Sequence, residues 1–146
     1  MFQTRSLKLE RIDTGDYSAQ EYDVCLSELR FINRWIGDTW ALRQTLLSEI
    51  ERKDLREFSV LDVGAGSGEL LREIAKFARK SNRNAKLVGL ELNEVSANSI
   101  ISESNRFKEI SAIRGNALQL SFADNSFDYI ICSLFTHHFT DENIVQ

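Results

Sequence analysis

Gly64-Ala65-Gly66-Ser67-Gly68 is the stretch of this sequence best suited to hold a ligand by its backbone. The first glycine permits a tight turn, the second lets a ligand approach without a Cβ in the way, and a helix N-terminus just beyond offers amide donors. Asp62 stands two residues before the turn. A second carboxylate, Glu91, ends a later apolar run, and its two oxygens can accept from two donors at once. Asn116 follows a glycine and carries both an acceptor and donors. The pair His137-His138, with Cys132 nearby, invites a metal reading. The spacing fits no zinc pattern, and adjacent side chains on a helix point apart, so no metal site is expected. A substrate-facing or general-base role for His137 or His138 stays open beside plain packing.

The glycine spacing discriminates between ligands. A dinucleotide fingerprint places glycines at relative positions one, three and six. Here those positions are Gly64, Gly66 and Glu69. A carboxylate stands where a pyrophosphate needs amides and no negative charge. The phosphate-loop pattern fails as well, because no Gly-Lys-Ser/Thr follows.

These residues need elements to position them. Thr14-Gly15-Asp16 reads as a turn, and Ser18 with Glu21 has the spacing of a capping box. From there Tyr22, Cys25, Leu26, Leu29, Ile32 and Trp35-Ile36 recur at helical spacing up to a break at Gly37-Asp38. A second helix to about Lys53 carries Trp40, Leu42, Leu46, Leu47 and Ile50 on its apolar side. Strands are expected at Phe58–Val63, Lys86–Glu91, Ile110–Arg114 and Phe127–Leu134. A helix with Leu70, Leu71, Ile74, Ala75, Phe77 and Ala78 follows the glycine turn. Another covers residues 94–106, with Val95, Asn98, Ile101 and Phe107 spaced for one face. Residues 117–125 read as a loop or one short turn, and Asp128 reads as structural. Strands alternating with helices argue a parallel sheet. The expected fold is α/β, a Rossmann-like doubly wound sheet in the partial order 3-2-1-4. Residues 1–56 form an N-terminal helical cap and residues 57–146 the ligand-binding domain. The cap helices either cover one sheet face or gate the site, with Tyr22, Trp35 and Trp40 as a candidate aromatic lid.

Val60-Leu61-Asp62-Val63-Gly64-Ala65-Gly66-Ser67-Gly68 resembles the first motif of the class I S-adenosylmethionine-dependent methyltransferases. The resemblance continues in Val88–Asn93, in Gly115-Asn116-Ala117, in Leu120–Asp128 and in Leu134–Phe139. It covers roughly residues 58–146. It implies S-adenosyl-L-methionine as cofactor, with Gly64 and Gly66 lining its methionine and ribose portion. Ala65 and Gly68 belong to the same loop, and Asp62 lies beneath it. Glu91 would accept from the ribose hydroxyls, with Leu92 beside it. Asn116 would meet the adenine amino group, where the family more often has Asp, and Ala117 would offer its backbone amide. Ser133 and Leu134 would approach the methionine end. No Asn-Pro-Pro-Tyr run follows the fourth strand, which disfavours amino-methylation of nucleic acids. The resemblance favours a small-molecule acceptor such as a phenol, quinone precursor, polyketide or lipid.

Composition narrows the partners. The 146 residues carry 18 Lys plus Arg against 22 Asp plus Glu, a formal net charge of −4. That is a poor electrostatic basis for non-specific nucleic-acid binding. Hydrophobic residues make up 42% and charged residues 27%, ordinary globular values. Cys25 and Cys132 match no thiol motif, so a reducing, cytoplasmic setting fits. No apolar run reaches membrane-spanning length, and the first residues lack the apolar core of a signal peptide. The chain holds no proline and ends in what reads as the first turns of a helix. Family members have seven strands and four are legible here. The expectation is therefore a fragment of a longer enzyme that holds the cofactor and methylates poorly alone. It would associate through its fourth strand with itself or with a complementary C-terminal half. An NAD(P)-binding oxidoreductase domain and a non-catalytic methyltransferase-like domain are the competing classes.

Overall fold

In chain order, a helical rod comes first. The computed structural model describes residues 37–133 together with Ser18, Gln20, Glu21, Val24 and Phe139. The rod, α1, runs through Asp38–Leu42, a π-helical turn at Arg43–Leu47, and Ser48–Arg52. Then follow β1 (Glu57–Val63), α2 (Glu69–Lys80), β2 (Asn84–Glu91), α3 (Glu94–Glu103), β3 (Ile110–Arg114) and β4 (Tyr129–Ile131). The four strands form one sheet in the order β3-β2-β1-β4, and every pairing is parallel. This is the expected order, with β1 and β2 inside. Ahead of it, Ser18 and Glu21 make the expected capping box: the Ser18 N–H donates to Glu21 Oε2 at 2.8 Å and the Glu21 N–H to Ser18 Oγ at 3.3 Å.

Register sorts the strands into two faces. Val60 pairs with Leu87 and Tyr129, and Leu87 with Ile110, so these side chains share one face. On that face Phe58, Val60, Leu87 and Ile110 form one core with Leu42, Leu46, Leu47 and Ile50 of α1, Leu71, Ile74, Ala75 and Ala78 of α2, and Ile100 of α3. The opposite face carries Leu61, Val88 and Leu90, covered by Ala117, Phe122 and Phe127. Phe122 and Phe127 meet edge to face at 5.1 Å. Among the described residues every helix thus packs on one face, and the other is roofed by the segment between β3 and β4. Along that second face Ile130 is 63% exposed.

Local chemistry explains the helices. Asn93 caps α3, its Oδ1 accepting from the Val95 and Ser96 N–H groups at 2.8 and 3.2 Å. Glu69 stands in the first turn of α2 and Arg79-Lys80 in the last, the arrangement the helix dipole favours. No side chain caps α2, which starts at Gly68 with φ 79°.

Three expectations need correction. Trp40 is 67% exposed, because it stands two residues before buried Leu42, on the far side of the helix. On α3 the buried residues are Ser96, Ala97 and Ile100, while Asn98 and Ile101 face solvent. Small side chains let α3 approach the sheet closely, so apolar bulk alone misidentified its inner face. The fourth strand spans three residues instead of eight. Phe127 turns into the second core. The Asp128 carboxylate, as a structural residue, accepts from the Ser59 N–H and hydroxyl, each at 2.7 Å. Those contacts hold its carboxyl below the ordinary range, the Ser59 hydroxyl contributing most. At the other end Ser133 leaves the ladder to donate its hydroxyl to Asp38 Oδ2 at 3.1 Å.

Gly89 is the tightest point. A Cβ there would stand 2.8 Å from Ile100 Cδ1, 3.0 Å from Leu71 Cδ1 and 3.1 Å from Ala65 Cβ. The two helices and the glycine turn therefore meet over a gap that only glycine leaves. Gly89→Ala is expected to destabilise the chain by about 1–3 kcal/mol, the cost of overpacking a filled core. A urea titration monitored by circular dichroism checks it, with the midpoint falling and the slope unchanged.

Candidate functional site

The carboxyl ends of the strands bring the singled-out residues together. β1 delivers Asp62 and Val63 to the turn, where Gly64, Gly66 and Gly68 have φ 73°, 55° and 79°. These left-handed values explain why glycine recurs at every second position. At Gly68 a side chain meets a second objection, since its Cβ would lie 3.1 Å from Ile100 Cγ2. At Gly66 a Cβ would meet nothing within 4 Å, so the space over the turn's midpoint is open to a ligand. The turn is fastened to β2: the Gly64 and Ala65 N–H groups both donate to the Leu90 carbonyl, at 3.0 and 3.2 Å.

Glu91 is the hub. Its Oε2 accepts from the Gly66 N–H at 3.0 Å, and its Oε1 from the Leu92 and Asn93 N–H groups at 2.9 and 3.3 Å. Its own carbonyl accepts from the Gly115 N–H at 3.0 Å, which brings the end of β3, and with it Asn116, alongside. Asn116 closes a local turn by accepting from the Leu118 N–H at 2.9 Å through Oδ1. That bond uses one of the two lone pairs of the Oδ1 acceptor. Ala117 packs beneath, in the second core.

Asp62 lies under the turn and is 2% exposed. Its register partners are Gly89 and Ile131, and Glu91 stands two residues beyond Gly89 on the same face of the adjacent strand. Burial first, and the Glu91 charge second, push the Asp62 carboxyl up to about 7. Across the site, Ser133 sits two residues past Ile131.

Asp62, Gly64, Ala65, Gly66, Gly68, Glu91, Leu92, Asn116, Ala117 and Ser133 therefore gather at one edge of the sheet. Leu134, His137 and His138 lie outside the described residues, as do Tyr22 and Trp35. Among the described residues no group of three His, Cys, Asp or Glu is placed to hold a metal ion. Sequence reasoning missed three contributors. Asn93 had the signal of an N-cap residue directly before Glu94-Val95. Gly89 had that of a glycine inside an apolar strand. The Asp38–Ser133 contact, 95 residues apart in sequence, had none.

The comparisons agree with this geometry. Residues 60–146 match the methyltransferase-domain family. A ubiquinone/menaquinone biosynthesis C-methyltransferase from Rickettsia prowazekii is 35% identical over 88 residues, 58% of this chain and 36% of that protein. A sterol 24-C-methyltransferase from Aspergillus fumigatus is 36% identical over 89 residues, 56% of this chain and 21% of that protein. The chain thus spans about a third or less of the length of these relatives. The crystal structure of the YcgJ protein from Bacillus subtilis superposes with a TM-score of 0.54 at 26% identity, covering 68% of this chain and 42% of that one. This chain belongs to the methyltransferase-domain family, of the class I, S-adenosyl-L-methionine-dependent kind with a Rossmann-like sheet.

An acid whose folded pKa lies above its unfolded value keeps a proton that the unfolded chain gives up. Asp62, with an ordinary value of 3.8 and a folded value of about 7, therefore costs stability as pH rises across that window. Above it the cost is constant. The melting temperature is expected to carry a component that falls from pH 5 to pH 7.5. Asp62→Asn should remove that component, which calorimetric melts of both proteins across the range will show.

Proposed function

We propose that this chain carries the cofactor-binding part of an enzyme that transfers a methyl group from S-adenosyl-L-methionine to a small-molecule acceptor. The observation that carries the reading is the Glu91 carboxylate bonded to the midpoint of a glycine turn whose outer side is open. The donor set fits the cofactor: carboxylates for cationic and hydroxyl groups, a backbone turn without side chains, and an amide at Asn116. Glu69 speaks against a pyrophosphate ligand. Its Oε2 is buried without a hydrogen-bond partner in the first turn of α2, where a dinucleotide would bring its negative charge.

When bound, the cofactor supplies an activated methyl on a sulfonium, so the protein has mainly to position the acceptor in line. In this reading Gly64, Ala65, Gly66 and Gly68 cradle the methionine and ribose portion. Glu91 orients the ribose hydroxyls, with Leu92 against the base. Asn116 and Ala117 meet the adenine, and Ser133 and Leu134 border the methionine end. His137 or His138 would serve the acceptor if it must lose a proton. Residues 1–56 act as a helical cap and 57–146 as the cofactor-binding domain. The relatives named for quinone and sterol C-methylation support an apolar small-molecule acceptor.

Two further parts belong to the same reading. One is a reducing, cytoplasmic setting, supported by two cysteines, Cys25 and Cys132, that match no thiol motif. Among the described residues no helix is long and apolar enough to cross a membrane. The other is association of β4, an edge strand among the described residues that exposes Ile130, with a second copy or a complementary strand.

Thermal melts with each ligand test the proposal. S-adenosyl-L-methionine and S-adenosylhomocysteine should raise the melting temperature, and NAD should not. A shift with NAD alone would reject it. Glu91→Ala should weaken S-adenosyl-L-methionine binding by about 2 kcal/mol, roughly thirtyfold, because charge-assisted bonds are lost. It should also lower the melting temperature of the empty chain, since three N–H groups lose their acceptor. Titration calorimetry and a melt without ligand measure the two effects.

A further inference from the structure

The side chain of Arg72 turns back along α2. Arg72 is the fourth residue of that helix, and its N–H closes the first turn on the Gly68 carbonyl at 3.1 Å. Long side chains on a helix point toward its N-terminus. This one reaches the glycine turn: Nη1 donates to the carbonyl of buried Ser67 at 2.5 Å, while Nη2 pairs with Glu103 Oε2 of α3 at 3.2 Å. It passes beside Gly68, where a Cβ would lie 3.6 Å from Nη1. The Arg72 side chain is 13% exposed. Such a position is costly twice over. A cation in the first turn opposes the helix dipole, and a guanidinium out of water needs partners for its N–H groups. A planar fork can serve a carbonyl at one end and a carboxylate at the other, which the single ammonium of a lysine does poorly.

The bond to Ser67 completes the fastening of the turn. Gly64 and Ala65 donate to the Leu90 carbonyl, and Gly66 to Glu91. The peptide between Ser67 and Gly68 is held at both ends: its N–H donates to the Ala65 carbonyl at 2.8 Å, and its carbonyl accepts from Arg72. A peptide is planar, so fixing both of its polar groups fixes its rotation. That rotation sets the backbone angle with which the chain leaves Ser67 and the left-handed angle with which it enters Gly68. We propose that Arg72 is a positioning residue for the cofactor: through the Ser67 carbonyl it holds the turn in the shape that keeps the Gly66 N–H on Glu91 and the outer side of the turn ready before a ligand arrives. This rests on the reading of the site as an S-adenosyl-L-methionine site. A turn ordered in advance binds more tightly, because less ordering remains to be done on association.

Titration calorimetry of the full chain with S-adenosylhomocysteine tests this, at a temperature where circular dichroism shows each variant folded. Arg72→Met removes both arms of the fork and should weaken binding by about tenfold. Arg72→Lys keeps the charge and the aliphatic stem without the fork, and should weaken it by about threefold or more; it carries the test where Arg72→Met does not fold. Glu103→Gln keeps the Ser67 bond. It should lower the melting temperature and leave the affinity within about twofold of the unsubstituted chain. The Gly66 amide proton, bonded to a carboxylate, is the readout that a loss of packing elsewhere would not move. In NMR spectra of the ligand-free Arg72 variants it should shift upfield and exchange faster with solvent, and in Glu103→Gln it should keep its place. Folded Arg72 variants that bind as tightly as the unsubstituted chain overturn the proposal and leave the cofactor reading standing, as does weakened binding with an unmoved Gly66 amide. An equal loss in Glu103→Gln assigns the effect to the contact between α2 and α3 and likewise overturns it. Failure of the unsubstituted chain to bind overturns both.

Discussion

The bond from the Gly66 N–H to Glu91 Oε2 holds the site together. It spans two adjacent parallel strands at the point where each ends. One partner is a backbone amide in a turn that makes no regular ladder bonds. The other is an ionisable side chain whose second oxygen binds the start of the next loop. A charge-assisted bond of this kind is roughly twice as strong as a neutral one. It sets the height of the turn above the sheet, and every residue gathered at the carboxyl edge takes its position relative to that turn.

Beneath it, a missing side chain matters as much as a present one. Gly89 lets Ile100 and Leu71 close under Ala65, so α2 and α3 converge on the turn rather than on the middle of the sheet. The same convergence seals Asp62 from solvent. Burial of the carboxyl and stiffness of the turn are thus two results of one packing arrangement. The position of β1 inside the sheet, with β2 on one side and β4 on the other, completes the enclosure.

Much of this was legible in the residues because it is local. A strand, a glycine turn and a helix follow one another within Phe58–Lys80, and each is specified by its own pattern. Glu91 was readable as a carboxylate ending an apolar strand. The parts that were not legible depend on contacts distant in sequence. The reach of β4 is cut short by Ser59, Phe122 and Asp38, none of them next to it in sequence. The inner face of α3 is the one on which Ile100 packs against Gly89, with Ser96 and Ala97 buried beside it and Ile101 outside. The π-helical turn in α1 has no periodic signature of its own. There the Thr45 hydroxyl donates to the Ala41 carbonyl at 2.7 Å, a bond that competes with the backbone ladder.

The lock between Ser59 and Asp128 joins residues 69 apart, whereas the Glu57–Asn84 contact that starts the β1–β2 pairing joins residues 27 apart. By the logarithmic law for ideal chains, closing the longer loop costs about 0.8 kcal/mol more in entropy. Three register pairs offset that cost at β4, against seven between β1 and β2. The two walls of the site thus differ in rigidity: Glu91 and the glycine turn stand on the strongly held side, and Ser133 on the side that opens at a lower free energy. Breathing at the carboxyl edge is therefore lopsided, with a fixed floor on the Glu91 side and a hinge-like margin at β4.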